Sequence, residues 1–178
     1  MKAFGHLRAT RLDESDALVE FDIPVPEPGP RDVVVEISAV SVNPVDTKLR
    51  SLAPTDGQPR VLGYDAVGRV AAAGGQVRGF RAGDRVFYSG SAQHNGSNAR
   101  FQAVDERLIA RAPESLTDVE AAALPLTALT AWELLFERLG LRLGEMDNQD
   151  AILIIGGAGG LGSILPQIAR LLTGLAVL

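Results

Sequence analysis

A glycine-rich turn late in the chain has the spacing that allows a backbone to approach a phosphate group closely. Gly157, Gly159 and Gly162 form a G-x-G-x-x-G pattern directly after the apolar run Ile152–Ile155. Glycines let the main chain approach a pyrophosphate, and the free amide groups at the start of a following helix attract anions. The chemistry that this spacing indicates is the binding of a dinucleotide.

The elements on either side of the turn are those that such a site requires. Ile152–Ile155 has the continuous apolar character of a buried parallel strand. Apolar residues then recur at helical spacing: Ile164, Ile168, Leu171 and Leu172. A strand, a glycine turn and a helix in this order favour a dinucleotide site over a generic glycine turn. Pro166 lies inside the predicted helix, and we expect it within the first two turns, where a missing backbone hydrogen bond is tolerated best.

The first 110 residues consist of short apolar runs separated by glycine, proline and polar turns. Val33–Ala39 alternates, with Val33, Val35, Ile37 and Ala39 on an apolar face and Val34, Glu36 and Ser38 on the other. Further strands are predicted at Val67–Ala73, Val86–Tyr88 and Phe101–Val104. Many short strands with turn signals between them predict a barrel or a sandwich.

Helical signals replace the strand pattern after Pro113. Thr117 and Glu120 have the spacing of a capping box, in which each side chain binds the backbone of the other residue. A second helix is predicted from about Thr127 to Leu139, with Gly140 as its stop signal. A mostly polar linker over Leu141–Asp150 separates these helices from the glycine turn.

The composition narrows the class of protein. The chain has 178 residues, a net charge of −5 and no cysteine. A nucleic-acid partner is disfavoured because no basic excess is present, and thiolate metal sites and disulfides are excluded. No apolar run approaches the roughly 20 residues of a membrane helix, and the polar start is not a signal peptide. We therefore expect a cytoplasmic protein without a membrane partner.

Four segments in chain order carry a resemblance to a known family. They are Ser41–Lys48 (SVNPVDTK), Gly63–Gly68 (GYDAVG), Leu124–Glu133 (LPLTALTAWE) and the glycine turn. Together they resemble the medium-chain dehydrogenase/reductase superfamily, and within it the zinc-free quinone oxidoreductase branch. The subgroup they resemble most is catalogued as zinc-type alcohol dehydrogenase-like proteins.

This resemblance implies a mixed β and α/β fold. Residues 1–125 would form a GroES-like, mostly-β catalytic domain that lacks its C-terminal return. Residues 126–178 would form a connecting helix and the first βα unit of a truncated Rossmann nucleotide-binding domain. The chain would then correspond to the N-terminal portion, about the first half, of a typical member.

The resemblance also implies two candidate catalytic residues, Asn43 and Tyr64. Asn43 occupies the place of a catalytic-zinc cysteine in zinc-dependent relatives, and Tyr64-Asp65 the place of their His-Glu pair. An amide and a phenol are poor zinc ligands, so no metal site is expected. Asn43 and Tyr64 would line the pocket beside the nicotinamide, although an Asn-Pro turn explains Asn43 structurally. His94 lies in a polar loop that resembles the flap beside the active site, and a solvated loop histidine is the plainer interpretation.

The implied cofactor site combines the glycine turn with one threonine of the preceding helix. Its residues are Gly157, Gly159, Gly160, Leu161, Gly162 and Thr127. An N-cap role explains the Thr127 hydroxyl equally well. The acidic residue that binds the ribose lies about 20 residues after such glycines, which falls beyond Leu178. The resemblance favours NADPH, and NADH is not excluded.

The function implied is an oxidoreductase that transfers a hydride from NADPH to a quinone or an α,β-unsaturated carbonyl compound without zinc. Two alternatives remain. The chain would be a truncated, inactive fragment that acts only as a folded or interaction module, or part of a zinc-dependent alcohol dehydrogenase. The resemblance further implies a homodimer when full length.

Overall fold

The computed structural model describes residues 1–9, 11, 13–14, 16–52, 58–144 and 150–178. These residues form two compact units, Met1–Pro125 and Leu126–Leu178. Residues 145–149, half of the linker predicted over Leu141–Asp150, lie outside the described residues.

The first unit consists mainly of antiparallel strands, as the short apolar runs predict. The strands are β1 (Lys2–His6), β2 (Val19–Asp22), β3 (Asp32–Ser41), β4 (Arg60–Val61), β5 (Asp65–Ala73), β6 (Arg85–Ser89), β7 (Phe101–Asp105) and β8 (Ile109–Arg111). One sheet has the strand order β7-β3-β5-β6-β8 and another the order β2-β1-β4. The sequence patterns indicated β3, β5, β6 and β7, and the shorter β2, β4 and β8 carry no periodic signal.

The larger sheet encloses the core of the first unit. Its buried side chains come from five strands: Val33, Val35, Ala66, Val70, Val86, Tyr88, Val104 and Ile109. The assignment of Val34 to a polar face of β3 is wrong, because this side chain is only 3% exposed. The register of β3 against β5 shifts between Val34 and Val35. Such a bulge breaks the strict alternation on which the assignment relied.

The helices follow the predicted capping and stop signals in part. The helices of the first unit are α1 (Pro44–Leu52) and α2 (Asp118–Ala122). The capping box of α2 is confirmed, since the Thr117 hydroxyl accepts from the Glu120 amide and the Glu120 carboxylate accepts from the Thr117 amide. Among the described residues, no helix is both long and apolar enough to cross a membrane.

The predicted helix over Thr127–Leu139 differs from the observed one. Helix α3 spans Pro125–Trp132, and Glu133–Arg138 continues it in π-helical geometry. The wider turn brings residues five apart together, and the Arg138 guanidinium lies 2.6 Å from the Glu133 carboxylate. Gly140 follows with φ of 66°, which agrees with its role as a stop signal.

The second unit contains a βαβ arrangement around the glycine turn. Strands β9 (Ala151–Ile152) and β10 (Ala176–Val177) pair in parallel, and α4 (Gly160–Thr173) connects them. Its core consists of Ala131, Leu135, Leu165 and Ala169. Pro166 lies in the second turn of α4, as expected. Leu171 was placed in the apolar pattern, but it is 72% exposed.

We expect Gly68→Ala to lower the free energy of unfolding by about 1–3 kcal/mol, the usual cost of overpacking. A β-carbon at Gly68 would lie 2.2 Å from the Glu36 carbonyl oxygen, and that backbone belongs to the paired strand β3. Gly75→Ala is the matched control, because nothing lies within 4 Å of its β-carbon. Its effect should stay within about 0.5 kcal/mol. Urea denaturation of the two variants checks this, and equal stabilities would contradict it.

Candidate active site and glycine turn

The pairing of β3 with β5 builds a polar junction at one end of the larger sheet. Ser41, the last residue of β3, lies opposite Asp65, the first residue of β5. Asn43 follows two residues after Ser41, and α1 begins at Pro44. The chain therefore turns from strand to helix directly beside the start of β5.

Asn43 is fixed at this junction by both its backbone and its side chain. Its backbone amide donates to Asp46 Oδ2 at 2.7 Å, and its carbonyl oxygen accepts from the Asp46 amide at 3.0 Å. Its Nδ2 donates to Asp65 Oδ2 at 2.9 Å. Asn43 is 9% exposed and Asp65 is fully buried. Asn43 therefore does form the turn that the Asn-Pro sequence indicates, and its side chain makes a buried hydrogen bond in addition.

Asp46 is a buried acid at the start of α1. Among the described residues, its Oδ1 has no hydrogen-bond partner. Burial raises the pKa of the Asp46 carboxyl, although the backbone amides of Asn43 and Gly63 act in the opposite direction. Desolvation favours the neutral form of an acid, so Asp46 retains its proton to a higher pH than an exposed aspartate.

Tyr64 lies in the same junction, immediately before β5, and is 7% exposed. Burial raises the pKa of its phenol, the charge of Arg60 lowers it and the charge of Asp46 raises it. The net shift is upward, so the Tyr64 hydroxyl stays protonated throughout the neutral range. The structure therefore brings the candidates Asn43 and Tyr64 to one junction, with Asp46 beside them.

The donor set of this junction does not fit a zinc ion. Zinc prefers cysteine, histidine and carboxylate ligands in a tetrahedral arrangement. The chain has no cysteine, and the candidates Asn43 and Tyr64 offer an amide and a phenol. Within the described ranges, no group of three histidine, cysteine, aspartate or glutamate residues could hold a metal ion.

Among the described residues, neither histidine makes a hydrogen bond to Asn43 or Tyr64. His94 borders a cavity of about 810 Å³ whose lining includes Asn95, Gln102 and Arg107 but neither candidate residue. His6 is fully buried, and its Nδ1 lies 2.9 Å from the Arg8 carbonyl oxygen. The role of His94 in a flap beside the active site, which the resemblance implies, stays a prediction.

In the second unit, the glycine turn leads tightly into α4. Gly156 has φ of 79°, a conformation that favours glycine, and its carbonyl oxygen accepts from the Gly159 amide at 3.1 Å. Gly159 is the N-cap, and no side chain caps the helix. The first amide groups of a helix have no partner within it, so this end is suited to an anion.

The glycines of the turn differ in what surrounds them. A β-carbon at Gly162 would lie 2.6 Å from the Gly156 carbonyl oxygen, so the helix packs closely against the turn. A β-carbon at Gly157 would meet nothing within 4 Å, which leaves open space beside the backbone. At Gly160 it would lie 3.7 Å from the methyl carbon of Thr127. Thr127 thus adjoins the start of α4.

The glycine motif does not indicate where the Leu161 side chain packs or where Thr127 lies in its helix. The Leu161 side chain packs against the core of the second unit, so only its backbone is suited to a phosphate. Thr127 is the third residue of α3, which begins at Pro125. The interpretation of Thr127 as an N-cap is therefore wrong, because the helix starts two residues earlier.

Two acids of the junction were not singled out from the sequence. Asp65 was noted only as the neighbour of Tyr64, and Asp46 only as part of the segment Ser41–Lys48. Both are buried, at 0% and 7% exposure. One signal was available, because both acids lie within the segments that carry the resemblance.

Comparisons with known proteins agree with this architecture. Residues 29–114 match the alcohol dehydrogenase GroES-like domain. The chain is 48% identical to a zinc-type alcohol dehydrogenase-like protein of Staphylococcus epidermidis, over 96% of this chain and 51% of that protein. It is 40% identical to the 2-methylene-furan-3-one reductase of Solanum lycopersicum, over 96% of this chain and 44% of that protein.

One solved structure is similar over nearly the whole length of the chain. The crystal structure of Escherichia coli quinone oxidoreductase complexed with NADPH matches with a TM-score of 0.80 and 27% identity. The match covers 99% of this chain and 51% of that one. The chain spans about half the length of the curated relatives it matches.

A mostly-β unit with a GroES-like match, followed by a strand, a glycine turn and a helix, defines the class. The chain carries the GroES-like domain of alcohol dehydrogenase-like oxidoreductases. The proteins that it matches are named as alcohol dehydrogenase-like proteins, a furanone reductase and a quinone oxidoreductase, so the resemblance indicated by the four sequence segments is confirmed.

We expect Asp46→Asn to change how stability depends on pH. The ordinary pKa of an aspartate is near 3.8, and burial raises that of Asp46 in the folded protein. From about pH 4 upward, the folded protein therefore binds a proton that the unfolded chain has released. The stability of the wild type relative to Asp46→Asn should be greatest in acid and fall as pH rises through the folded-state pKa.

Denaturation of both proteins at a series of pH values measures this difference. The amide of the variant keeps an oxygen that can accept from the Asn43 backbone, so the comparison isolates the charge of Asp46. A stability difference that is constant with pH, or that grows as pH rises, would contradict the raised pKa.

Proposed function

We propose that the protein is a zinc-independent oxidoreductase that transfers a hydride from NADPH to a quinone or an α,β-unsaturated carbonyl compound. The observation that carries this proposal is the junction that brings Asn43 and Tyr64 together, at positions where the resemblance implies metal ligands in zinc-dependent relatives. An amide and a protonated phenol offer hydrogen bonds and no Lewis acid. Acceptors that are already electron-poor need least polarisation, so they fit such a site best.

The second unit supports the binding of the cofactor. The open space beside Gly157 and the uncapped start of α4 fit a pyrophosphate, which the backbone amides of Gly160, Leu161 and Gly162 would bind. Thr127 adjoins this helix start and would contribute its hydroxyl. NADPH, when bound, supplies the hydride; the protein supplies binding and orientation. The NADPH complex of the Escherichia coli quinone oxidoreductase supports the choice of cofactor.

The residues of the junction would serve the acceptor and its proton. Reduction of a quinone or an enone takes up one hydride and one proton. The Tyr64 phenol is protonated at neutral pH, so it can donate a hydrogen bond to the acceptor oxygen or pass on its proton. Asn43 is held rigidly beside it and would orient the acceptor. The name of the tomato relative, a reductase of a methylene-furanone, supports an enone as substrate.

The protein as its cell produces it should oxidise NADPH in the presence of a simple benzoquinone or an enone. The loss of NADPH absorbance measures the rate, and the same assay with NADH tests the preference. Metal chelators should leave the rate unchanged, and elemental analysis should find no stoichiometric zinc. Chelator-sensitive oxidation of alcohols with NADP⁺ would overturn the proposal in favour of a zinc-dependent alcohol dehydrogenase. A homodimer and a cytoplasmic location stay predictions.

We expect Gly157→Ala to weaken NADPH binding about tenfold, which corresponds to about 1.4 kcal/mol, without loss of stability. The added methyl group occupies space that is empty in the structure and that a pyrophosphate would use. Gly75→Ala is the matched control, because its β-carbon also meets nothing within 4 Å but it lies in the first unit. Fluorescence titration gives both dissociation constants. Unchanged affinity in Gly157→Ala would contradict a phosphate site at this turn.

A further inference from the structure

The hydrogen bond between Asn43 and Asp65 joins two residues that are 22 positions apart. Asn43 Nδ2 donates to Asp65 Oδ2 at 2.9 Å, and the bond is buried. The Asp65 side chain is shielded completely from solvent, whereas Asn43 keeps 9% of its surface exposed. One end of this pair is therefore inside the protein, and the other reaches the surface of the junction.

The direction of this hydrogen bond decides which way the amide faces. Nδ2 is the donating branch of the carboxamide, and it is used by Asp65 Oδ2. The planar amide therefore directs its accepting atom, Oδ1, along the other branch. The two backbone hydrogen bonds between Asn43 and Asp46 hold the main chain at the same time. Little freedom remains for the side chain to rotate.

We propose that Asp65 is a positioning residue, which fixes the Asn43 carboxamide so that the carbonyl oxygen Oδ1 is the atom offered to a bound ligand. This inference rests on the proposed function, in which Asn43 borders the reacting groups. An acceptor at this position selects a ligand group that carries an N–H or an O–H. Two sources have this chemistry: the hydroxyl of a reduced acceptor and the carboxamide of a bound nicotinamide.

The variants Asn43→Asp, Asp65→Asn and their combination separate positioning from simple stabilisation. Asn43→Asp places two carboxylates in contact and should be the least stable. Asp65→Asn keeps the shape but lets the pair of amides face either way. The double variant restores one amide and one carboxylate with their positions exchanged. Its melting temperature should therefore exceed the value expected from adding the two single effects.

Activity should not recover with stability in the double variant. The exchanged pair places a carboxylate at position 43, so we expect kcat with the benzoquinone or enone to stay at least tenfold below wild type. A purely structural hydrogen bond would instead recover both the melting temperature and kcat, and this would overturn the proposal. Weaker inhibition by the hydroquinone product identifies the hydroxyl of the reduced acceptor as the ligand group, and a raised NADPH dissociation constant identifies the nicotinamide carboxamide.

A measurement without turnover distinguishes failure of this inference from failure of the proposed function. Side-chain ¹H–¹⁵N spectra of the ligand-free protein should show two separate Asn43 protons, one shifted downfield by the carboxylate. Asn43→Asp assigns the pair, and Asp65→Asn should remove the downfield shift. Identical Asn43 resonances in wild type and Asp65→Asn would overturn the inference. A fixed amide in a protein that reduces no acceptor would support the positioning by Asp65 and overturn the proposed function.

Discussion

The register of β3 against β5 is the constraint on which the candidate active site depends. At Gly68 the two strands approach so closely that no β-carbon fits beside the Glu36 carbonyl oxygen. A slip by one residue would turn every side chain to the opposite face and would place a larger residue at this contact. The same ladder shifts its register between Ile37 and Ala39 and then ends with Ser41 opposite Asp65. The close approach at Gly68 and the shift beyond it together determine where Asn43 meets Asp65.

In the second unit, as at Gly68 in the first, a glycine allows two backbone segments to approach closely because it has no β-carbon. Gly162 allows the first turn of α4 to lie against Gly156, and Gly156 itself adopts a positive φ. Together they bring the helix start next to the end of β9 and leave the amide groups of that start without a side-chain cap. Gly162 also approaches the α-carbon of Gly157, but on the side where its own β-carbon would project, Gly157 is open, as Gly156 is. A backbone that is packed on one side and open on the other is what a turn that receives a ligand requires.

The sequence predicted those helices, strands and turns whose signal lies within a few neighbouring residues. The capping box at Thr117 and Glu120, the alternation of β3 and the strand–glycine turn–helix order are all contained within a few neighbouring residues. The bulge beside Val34 and the π-helical turn at Glu133–Arg138 are not, since each depends on how the segment packs against others. The candidate site divides in the same way. Asn43 and Tyr64 were found through motifs, whereas the partnership of Asn43 with Asp65 exists only after the ladder has formed.

Burial gives the junction a consistent electrostatic character. It raises the pKa of both Asp46 and Tyr64, so both acids hold their protons more firmly than exposed groups do. Asp65 accepts a hydrogen bond from Asn43 Nδ2, so this acid and this amide are partnered with each other. In the proposed function, the protonated Tyr64 phenol would supply the proton that a hydride reduction takes up and that the cofactor does not provide.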